Sequence, residues 1–224
     1  MNTLRERAEK LEAEGIFLGG AAKFFETAGR KMLITLLNEG LTPSSKVLDV
    51  GCGCLRCGYW LIHILDQGCY FGIEPNAKML DAGLRLLLEP GLAELKKPSF
   101  DHNADFDFTV FQQAFDVFVA RSVWTHAAKP QIQKMLDGFL STASPRGLFL
   151  TSYVRPSLIR RDYQGTGWIG RSHESDVPGT VRHKRSWIRA ECAKRHLDVK
   201  EIKGKAYNFS NQTWLCIKRK PSAL

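Results

Sequence analysis

Nowhere does the sequence contain a run of about 18 apolar residues, so it has no candidate for a membrane-spanning helix. The first fifteen residues, MNTLRERAEKLEAEG, are charged throughout and lack the apolar core of a secretory signal peptide. No internal repeat, low-complexity tract or linker-like change of composition divides the 224 residues. We therefore expect a single cytoplasmic domain over residues 1–224, with no membrane partner.

Cysteine is present only six times, and three of the cysteines form a C-x-C-x-x-C run at Cys52, Cys54 and Cys57. They are too close together for a disulfide framework. No second Cys or His pair lies nearby to complete a tetrahedral metal site, so we predict no metal. Buried, reduced thiols are the interpretation that fits best, and zinc binding is the alternative.

Acidic residues are in the minority, which gives a formal net charge of +9. The excess is uneven, because residues 151–190 contain eight Lys or Arg against three Asp or Glu. A basic surface of this kind binds an anionic substrate, binds a nucleic acid or only keeps the protein in solution, and the charge does not distinguish these three.

Strand and helix patterns alternate along the chain. Two helices are predicted first, over 2–14 and about 21–37, the second ended by Gly40. The predicted strands are 46–50, 69–74, a weak one within 98–108, then 115–120, 147–154, 199–202 and 213–218, and the helices between them are 55–66, 76–88, 130–140 and 184–196. The last two strands leave no room for a crossover helix. We predict an α/β fold: a Rossmann-like, doubly wound, mostly parallel seven-stranded sheet with an antiparallel final hairpin.

The segment VLDVGCGCLRCG, residues 47–58, follows the first predicted strand. Gly51 and Gly53 allow a sharp turn and close approach to a ligand, and the next helix presents its amino end there. A dinucleotide fingerprint needs a third glycine where Arg56 stands. Asp49 would also lie beside a pyrophosphate, where its charge is unfavourable. The pattern suits a cofactor that carries an ammonium and a sulfonium.

This D-x-G-x-G string resembles the first motif of class I S-adenosylmethionine-dependent methyltransferases. The usual third glycine is replaced by Leu55, so G-C-G-x-L-R stands as a variant of that motif. The resemblance implies S-adenosyl-L-methionine as the cofactor. Asp49 would hold its methionine end, and Gly51, Cys52 and Gly53 would wrap closely around it. A glycine-rich structural turn is the alternative.

An acid ends the second predicted strand: Glu74 lies 25 residues after Asp49. A carboxylate at this position accepts hydrogen bonds from ribose hydroxyls in nucleotide-binding sheets. In the resembled family it is the ribose acid, and Pro75 would lie beside the adenine.

The resemblance also implies an adenine-binding acid before the fourth strand. We assign it to Asp105, with the backbone of Phe106 at the ring edge. Asn103 and Asp107 are close competitors, because the register of the third strand is uncertain.

The segment FDVFVARSVWTH, residues 115–126, resembles the family's fourth-strand region. It would place Ala120 and Arg121 next to the methionine moiety. Amino-methylating nucleic-acid enzymes of this superfamily carry an (Asp/Asn/Ser)-Pro-Pro-aromatic run here, and this segment has none. It also lacks the acid near position 120 with which the metal-dependent catechol type binds magnesium. The chain also has no Pro-Cys pair for base-carbon methylation.

His126 is the candidate general base, since imidazole titrates near neutral pH. The alternative is that His126 only caps or packs a short helix. His173 and His183 compete for the role, while three other histidines, His63, His102 and His196, are expected on surrounding helices or loops.

Two flanking segments are assigned roles at the site, and the first two helices would close over the cofactor from the side opposite the acceptor segment. Residues 1–40 form a predicted helical lid, and 155–185 form an acceptor-binding insertion rich in aromatic, cationic and glycine residues. The predicted reaction moves a methyl group to oxygen or nitrogen of a small-molecule or glycan acceptor with an anionic or hydroxyl-rich group. An RNA methyltransferase, a non-catalytic module that binds cofactor or nucleic acid, and a merely solvated basic loop at 155–185 remain alternatives.

Overall fold

The computed structural model describes residues 3–172, 175–204 and 210–221. The chain divides into two compact units, residues 1–104 and 105–224. The assignment of the whole chain to one domain stays a prediction.

The first unit begins with two helices, α1 (Leu4–Ala13) and α2 (Phe25–Asn38). A capping box starts α1, in which the Thr3 hydroxyl accepts from the Glu6 N–H and the Glu6 carboxylate accepts from the Thr3 N–H. The predicted second helix starts four residues late, because residues 22–24 form a 3₁₀ turn. Both helices bury one face.

Three parallel strands follow in the first unit, in the order β3-β2-β1, with Val47 opposite Tyr70 and Phe71 opposite Ser99. The elements are β1 (Val47–Val50), α3 (Gly58–Ile64), β2 (Tyr70–Ile73), α4 (Ala77–Leu87), α5 (Leu92–Lys96) and β3 (Ser99–Asp101). The Asn76 side chain caps α4 by accepting from the Met79 N–H at 3.1 Å.

The helix predicted over 55–66 begins at Gly58 instead. Leu55 has a left-handed backbone with φ of 66°, which a helix cannot include. Its side chain is fully buried, so burial offsets the strained backbone. The short helix α5 was not predicted.

The second unit contains four strands in the order β4-β5-β7-β6. Strand β5 runs parallel to β4, and β7 runs antiparallel to both β5 and β6, so the predicted final hairpin is confirmed. The elements are β4 (Phe115–Ala120), α6 (Lys129–Thr142), β5 (Ala143–Tyr153), α7 (Arg185–Lys194), β6 (Leu197–Glu201) and β7 (Thr213–Arg219).

Aromatic side chains fill the core of the second unit. The ring of Phe118 packs edge-on against Phe139 at 5.0 Å, and Trp124 packs edge-on against Phe149 at 5.9 Å. All four are fully buried. This packing holds β4, α6 and β5 together.

The seven strands form one mixed, mostly parallel sheet that ends in an antiparallel hairpin. With the alternation of helices, this is the Rossmann-like fold that the sequence predicts. No helix in the part of the chain that the structure describes is long and apolar enough to span a membrane.

Candidate functional site

The turn after β1 takes its shape from three left-handed residues. Gly51, Gly53 and Leu55 have φ values of 68°, 58° and 66°. The N–H groups of Gly51 and Cys52 both donate to the carbonyl oxygen of Ile73, at 2.8 and 3.1 Å. The turn is therefore tied to the end of β2. At Gly51, where the backbone is exposed, glycine adopts the positive φ without the strain that a side chain would add.

A second contact with the turn involves a residue that the sequence did not single out, Gly83 of α4. A Cβ atom added to Gly83 would lie 2.6 Å from the carbonyl oxygen of Cys54. Helix α4 can approach the turn this closely only because residue 83 has no side chain. In the sequence, the one indication of this close approach is a glycine within a predicted helix.

Glu74 is held in one orientation at the end of β2. One carboxylate oxygen accepts from the N–H of Gly53 and the other from the N–H of Asn76, both at 2.9 Å. The backbone of Glu74 is also bound, because its N–H donates to Asp101 at 3.0 Å and its carbonyl accepts from the His102 ring at 2.7 Å. The residue is 8% exposed. It is thus a positioned carboxylate rather than a solvated one, and Pro75 follows it half-buried.

Asp49 lies buried at the end of β1. Its carboxylate accepts from the Tyr70 hydroxyl at 2.9 Å. The pKa of Asp49 is raised to about 7, because burial outweighs the hydrogen bond from Tyr70, which lowers the pKa, and the charge of Glu74 adds a smaller increase. Burial likewise raises the pKa of the Cys52 thiol, and Asp49 and Glu74 add to the effect.

These contacts bring Asp49, Cys52, Gly53 and Glu74 together around one turn. The cluster joins two carboxylates with backbone N–H groups. Such a set can accept hydrogen bonds from hydroxyl groups and attract a cation. Within the described residues, no group of three or more His, Cys, Asp or Glu side chains could hold a metal ion.

Arg56, which stands where a dinucleotide fingerprint has glycine, binds the segment between α1 and α2. Its guanidinium donates to the carbonyl oxygen of Gly19 at 3.2 Å. Desolvation lowers its pKa. The N-terminal helices are also tied to the rest of the first unit by ion pairs of Arg7 with Glu89 (2.7 Å) and Arg85 with Glu14 (2.6 Å). Their role as a lid stays a prediction.

The adenine-side candidates show different environments. Asp105 has an 83% exposed side chain that lies 3.3 Å from Lys134. Phe106 has φ of 56° and stacks on Trp168. The competitor Asn103 donates to Asp101, while Asp107 accepts from Thr109. Asp105 and Phe106 stay predictions, as does Ala120, which is buried at the end of β4.

His126 contacts the segment 155–185 through its imidazole ring. Its Nδ1 lies 2.7 Å from the carbonyl oxygen of Ile169, and its ring stacks on Trp168 at 5.5 Å. Burial lowers the pKa of His126, while the carbonyl groups of Ile169 and Gly179 oppose the shift. A carbonyl can only accept, so Nδ1 carries a proton in the contact with Ile169. Proton acceptance by Nε2 stays a prediction.

Asp162 is the main anchor at the start of the same segment. Its carboxylate accepts from Lys129 Nζ at 2.8 Å, from the Lys184 N–H at 2.7 Å and from Gln164 Nε2 at 2.7 Å. Burial raises the pKa of Asp162, but these hydrogen bonds outweigh burial and hold it below its ordinary value. The carboxylate therefore stays ionised and ties both ends of the segment to α6.

His183 closes the segment from the other end. It is fully buried, and its Nε2 donates to the carbonyl oxygen of Ala127 at 3.0 Å. This makes His183 a structural contact, whereas His173 lies outside the described residues. The same segment forms a cavity of about 600 Å³, which is lined by Arg160, Arg161, Asp162, Tyr163, Gln164, Ile169, Gly179, Thr180, Val181 and Arg182.

Solved methyltransferase structures share this fold. A DhpI complex with S-adenosylhomocysteine is similar at 16% identity and a TM-score of 0.63, covering 97% of this chain and 94% of that one. Magnesium protoporphyrin IX methyltransferase (ChlM) from Synechocystis PCC 6803, with bound S-adenosylmethionine, has 16% identity and a TM-score of 0.61, covering 89% and 81%.

The glycopeptide N-methyltransferase MtfA, complexed with S-adenosylmethionine, has 12% identity and a TM-score of 0.64, covering 86% and 94%. No protein-family model matches the chain. At these identities the likeness concerns the fold.

Proposed function

We propose that this protein is an S-adenosyl-L-methionine-dependent methyltransferase that acts on an oxygen or nitrogen of a small-molecule or glycan acceptor. The observation that carries the proposal is the Glu74 carboxylate, held by the N–H groups of Gly53 and Asn76 beside a left-handed glycine turn. The solved structures of similar fold support it, since several contain S-adenosylmethionine or S-adenosylhomocysteine.

The residues of the turn fit this cofactor. Glu74 would accept hydrogen bonds from the ribose hydroxyls. The Glu74 carboxylate makes the turn electronegative, and a bound cation would favour the ionised form of Asp49, whose pKa is about 7. The turn therefore suits a ligand with a sulfonium and an ammonium and is unfavourable for a pyrophosphate. The open backbone of Gly51 leaves room for close approach. Pro75, Asp105, Phe106 and Ala120 complete the proposed cofactor set.

When bound, the cofactor supplies a methyl group on a sulfonium that is already activated by its charge. The protein then has to align the acceptor and remove its proton where it has one. We assign alignment to residues 155–185 and proton removal to Nε2 of His126. Asp162 holds the segment in place, through its bonds to Lys129 and Lys184.

The test is direct binding of S-adenosylmethionine by calorimetry. Glu74→Ala should weaken binding by about 1–3 kcal/mol, because two hydroxyls lose a charged partner. Gly51→Val should abolish it, since a branched side chain strains the turn and fills the approach. Asp81→Ala is the matched control, because Asp81 is an exposed carboxylate of α4. Equal affinity in Glu74→Ala, Gly51→Val and the control would refute the site.

Turnover is tested by incubating small-molecule and glycan acceptors with methyl-labelled cofactor. Deletion of residues 163–171 should abolish label transfer and spare cofactor binding. Loss of both together would mean that the segment is needed for folding rather than for the acceptor.

A further inference from the structure

A tight turn at residues 157–160 carries two exposed aliphatic side chains. The Ser157 N–H donates to the carbonyl of Arg160 at 2.9 Å, and the Arg160 N–H donates to the Ser157 hydroxyl at 3.1 Å. Leu158 and Ile159, at the tip, are 103% and 92% exposed. Single exposed aliphatic residues are ordinary, but two adjacent ones in full contact with water indicate a surface that is covered in some other state.

The tip is surrounded by positive charge. The segment RPSLIRR, residues 155–161, has three arginines and no acid. Arg160 and Arg161 also line the 600 Å³ cavity, together with Arg182. Among the residues that the structure describes, no ion pair joins any of these three cavity arginines to a carboxylate.

The acid on the cavity does not neutralise these arginines. The Asp162 side chain is 8% exposed and is already paired with Lys129 Nζ at 2.8 Å. Arg155 differs from the cavity arginines, because it is paired with Glu201 at 2.6 Å. Within the described residues, the guanidinium groups of Arg160, Arg161 and Arg182 thus have no carboxylate partner.

We propose that the tip loop, residues 155–161, docks on an anionic lipid surface. Leu158 and Ile159 would enter the boundary between headgroups and acyl chains, while Arg160 and Arg161 bind lipid phosphates and Arg182 adds to the same basic surface. A small soluble anion would match the arginines but leave the aliphatic pair exposed. An anionic bilayer matches both, and the net charge of +9 attracts the chain to it from a distance.

Docking of this kind needs no membrane-spanning helix, and it does not depend on methyl transfer. The two proposals can therefore fail separately. Cofactor binding tests the turn of the first unit, and lipid partitioning tests the tip loop.

The experiment is co-sedimentation of the full chain with vesicles at physiological ionic strength. One vesicle preparation is phosphatidylcholine alone, and the other is phosphatidylcholine with phosphatidylserine. The wild type should partition onto the anionic vesicles only. Arg160→Gln with Arg161→Gln should lower the partition coefficient about fivefold for each arginine. Leu158→Ser with Ile159→Ser should lower it at least about tenfold.

A matched control removes the same charge elsewhere in the second unit. Lys200→Gln with Lys218→Gln changes two exposed cations on β6 and β7, and it should weaken binding less than the arginine pair. Unchanged thermal unfolding of every variant shows that the fold is intact.

Three results would overturn the proposal. The first is a wild type that does not bind anionic vesicles. If inorganic phosphate nevertheless raised its melting temperature, the arginines would bind a small soluble anion instead of a lipid surface. The second is an aliphatic variant that binds like the wild type, which would mean adsorption by charge alone. The third is a lysine double variant whose partition coefficient falls as much as that of the arginine double variant.

Discussion

The Nδ1 atom of His126 lies 2.7 Å from the carbonyl oxygen of Ile169, 43 residues further along the chain. The Ile169 N–H donates back to the carbonyl of His126 at 3.0 Å, so the two residues are joined by reciprocal bonds. His126 therefore holds the segment 155–185 in place, whatever further role its second nitrogen has. The two roles make different predictions.

His126→Ala should lower turnover at least about tenfold and leave cofactor affinity unchanged, because both positioning and general-base catalysis are lost. His126→Asn separates the two roles, since its amide can donate to Ile169 but cannot accept a proton at neutral pH. Under general-base catalysis, Asn stays as slow as Ala and the rise of kcat with pH disappears. Recovery of turnover in the Asn variant would assign His126 to positioning alone.

Gly170→Ala should reduce turnover and spare cofactor binding. Gly170 has φ of 128°, and a Cβ atom there would overlap the ring of His126. The expected result is a raised KM for the acceptor, from a displaced segment. Gly167→Ala is the control, because a Cβ atom at Gly167 meets nothing within 4 Å. If the two variants behave alike, the contact with His126 has no part in acceptor binding.

Asp162→Asn should loosen the segment 155–185 without affecting the turn that is proposed to bind the cofactor. The Asn side chain loses the charge that pairs with Lys129, at a cost of about 1–3 kcal/mol to local stability. Limited proteolysis should then cut faster within 155–185. Asp176→Asn, an exposed acid of the same segment, should leave the rate unchanged. Equal cleavage rates in both variants would show that Asp162 does not hold the segment in place.

Asp49 should make stability fall as pH rises. Its pKa is about 7 in the folded chain against an ordinary value of 3.8, so the folded state binds more protons between these values. Its contribution is therefore lost between about pH 4 and pH 7. Asp49→Asn removes the titration, and it should stabilise the fold by on the order of 4 kcal/mol more at pH 8 than at pH 4.

Urea unfolding at the two pH values measures the difference between wild type and variant. Tyr70→Phe provides the comparison, because loss of the hydrogen bond to Asp49 should extend the window above pH 7. A difference between Asp49→Asn and wild type that is the same at both pH values would show that Asp49 does not titrate in this range.

The sequence predicted much of the turn around Gly51 and Glu74, because both features depend on local order. A strand followed by two glycines allows few backbone paths, and the acid at the end of the next parallel strand lies at the same edge of the sheet. The starting residue of α3 was wrong for a local reason as well. The local sequence Cys-Leu-Arg-Cys does not indicate that Leu55 adopts a left-handed backbone, which delays the start of the helix.

By itself, the sequence determined the alternation of strands and helices, the final hairpin and the positions of the turn residues. Tertiary structure decided which side chains meet: Asp49 with Tyr70, His126 with Ile169 and Trp168, and Asp162 with Lys129. Hydrophobic periodicity indicates which face of an element is buried, but it does not identify contact partners that lie 21 to 43 residues away in the sequence. Among the residues that the structure describes, 155–172 and 175–184 belong to no helix or strand, and long-range hydrogen bonds within the second unit hold the segment in its form.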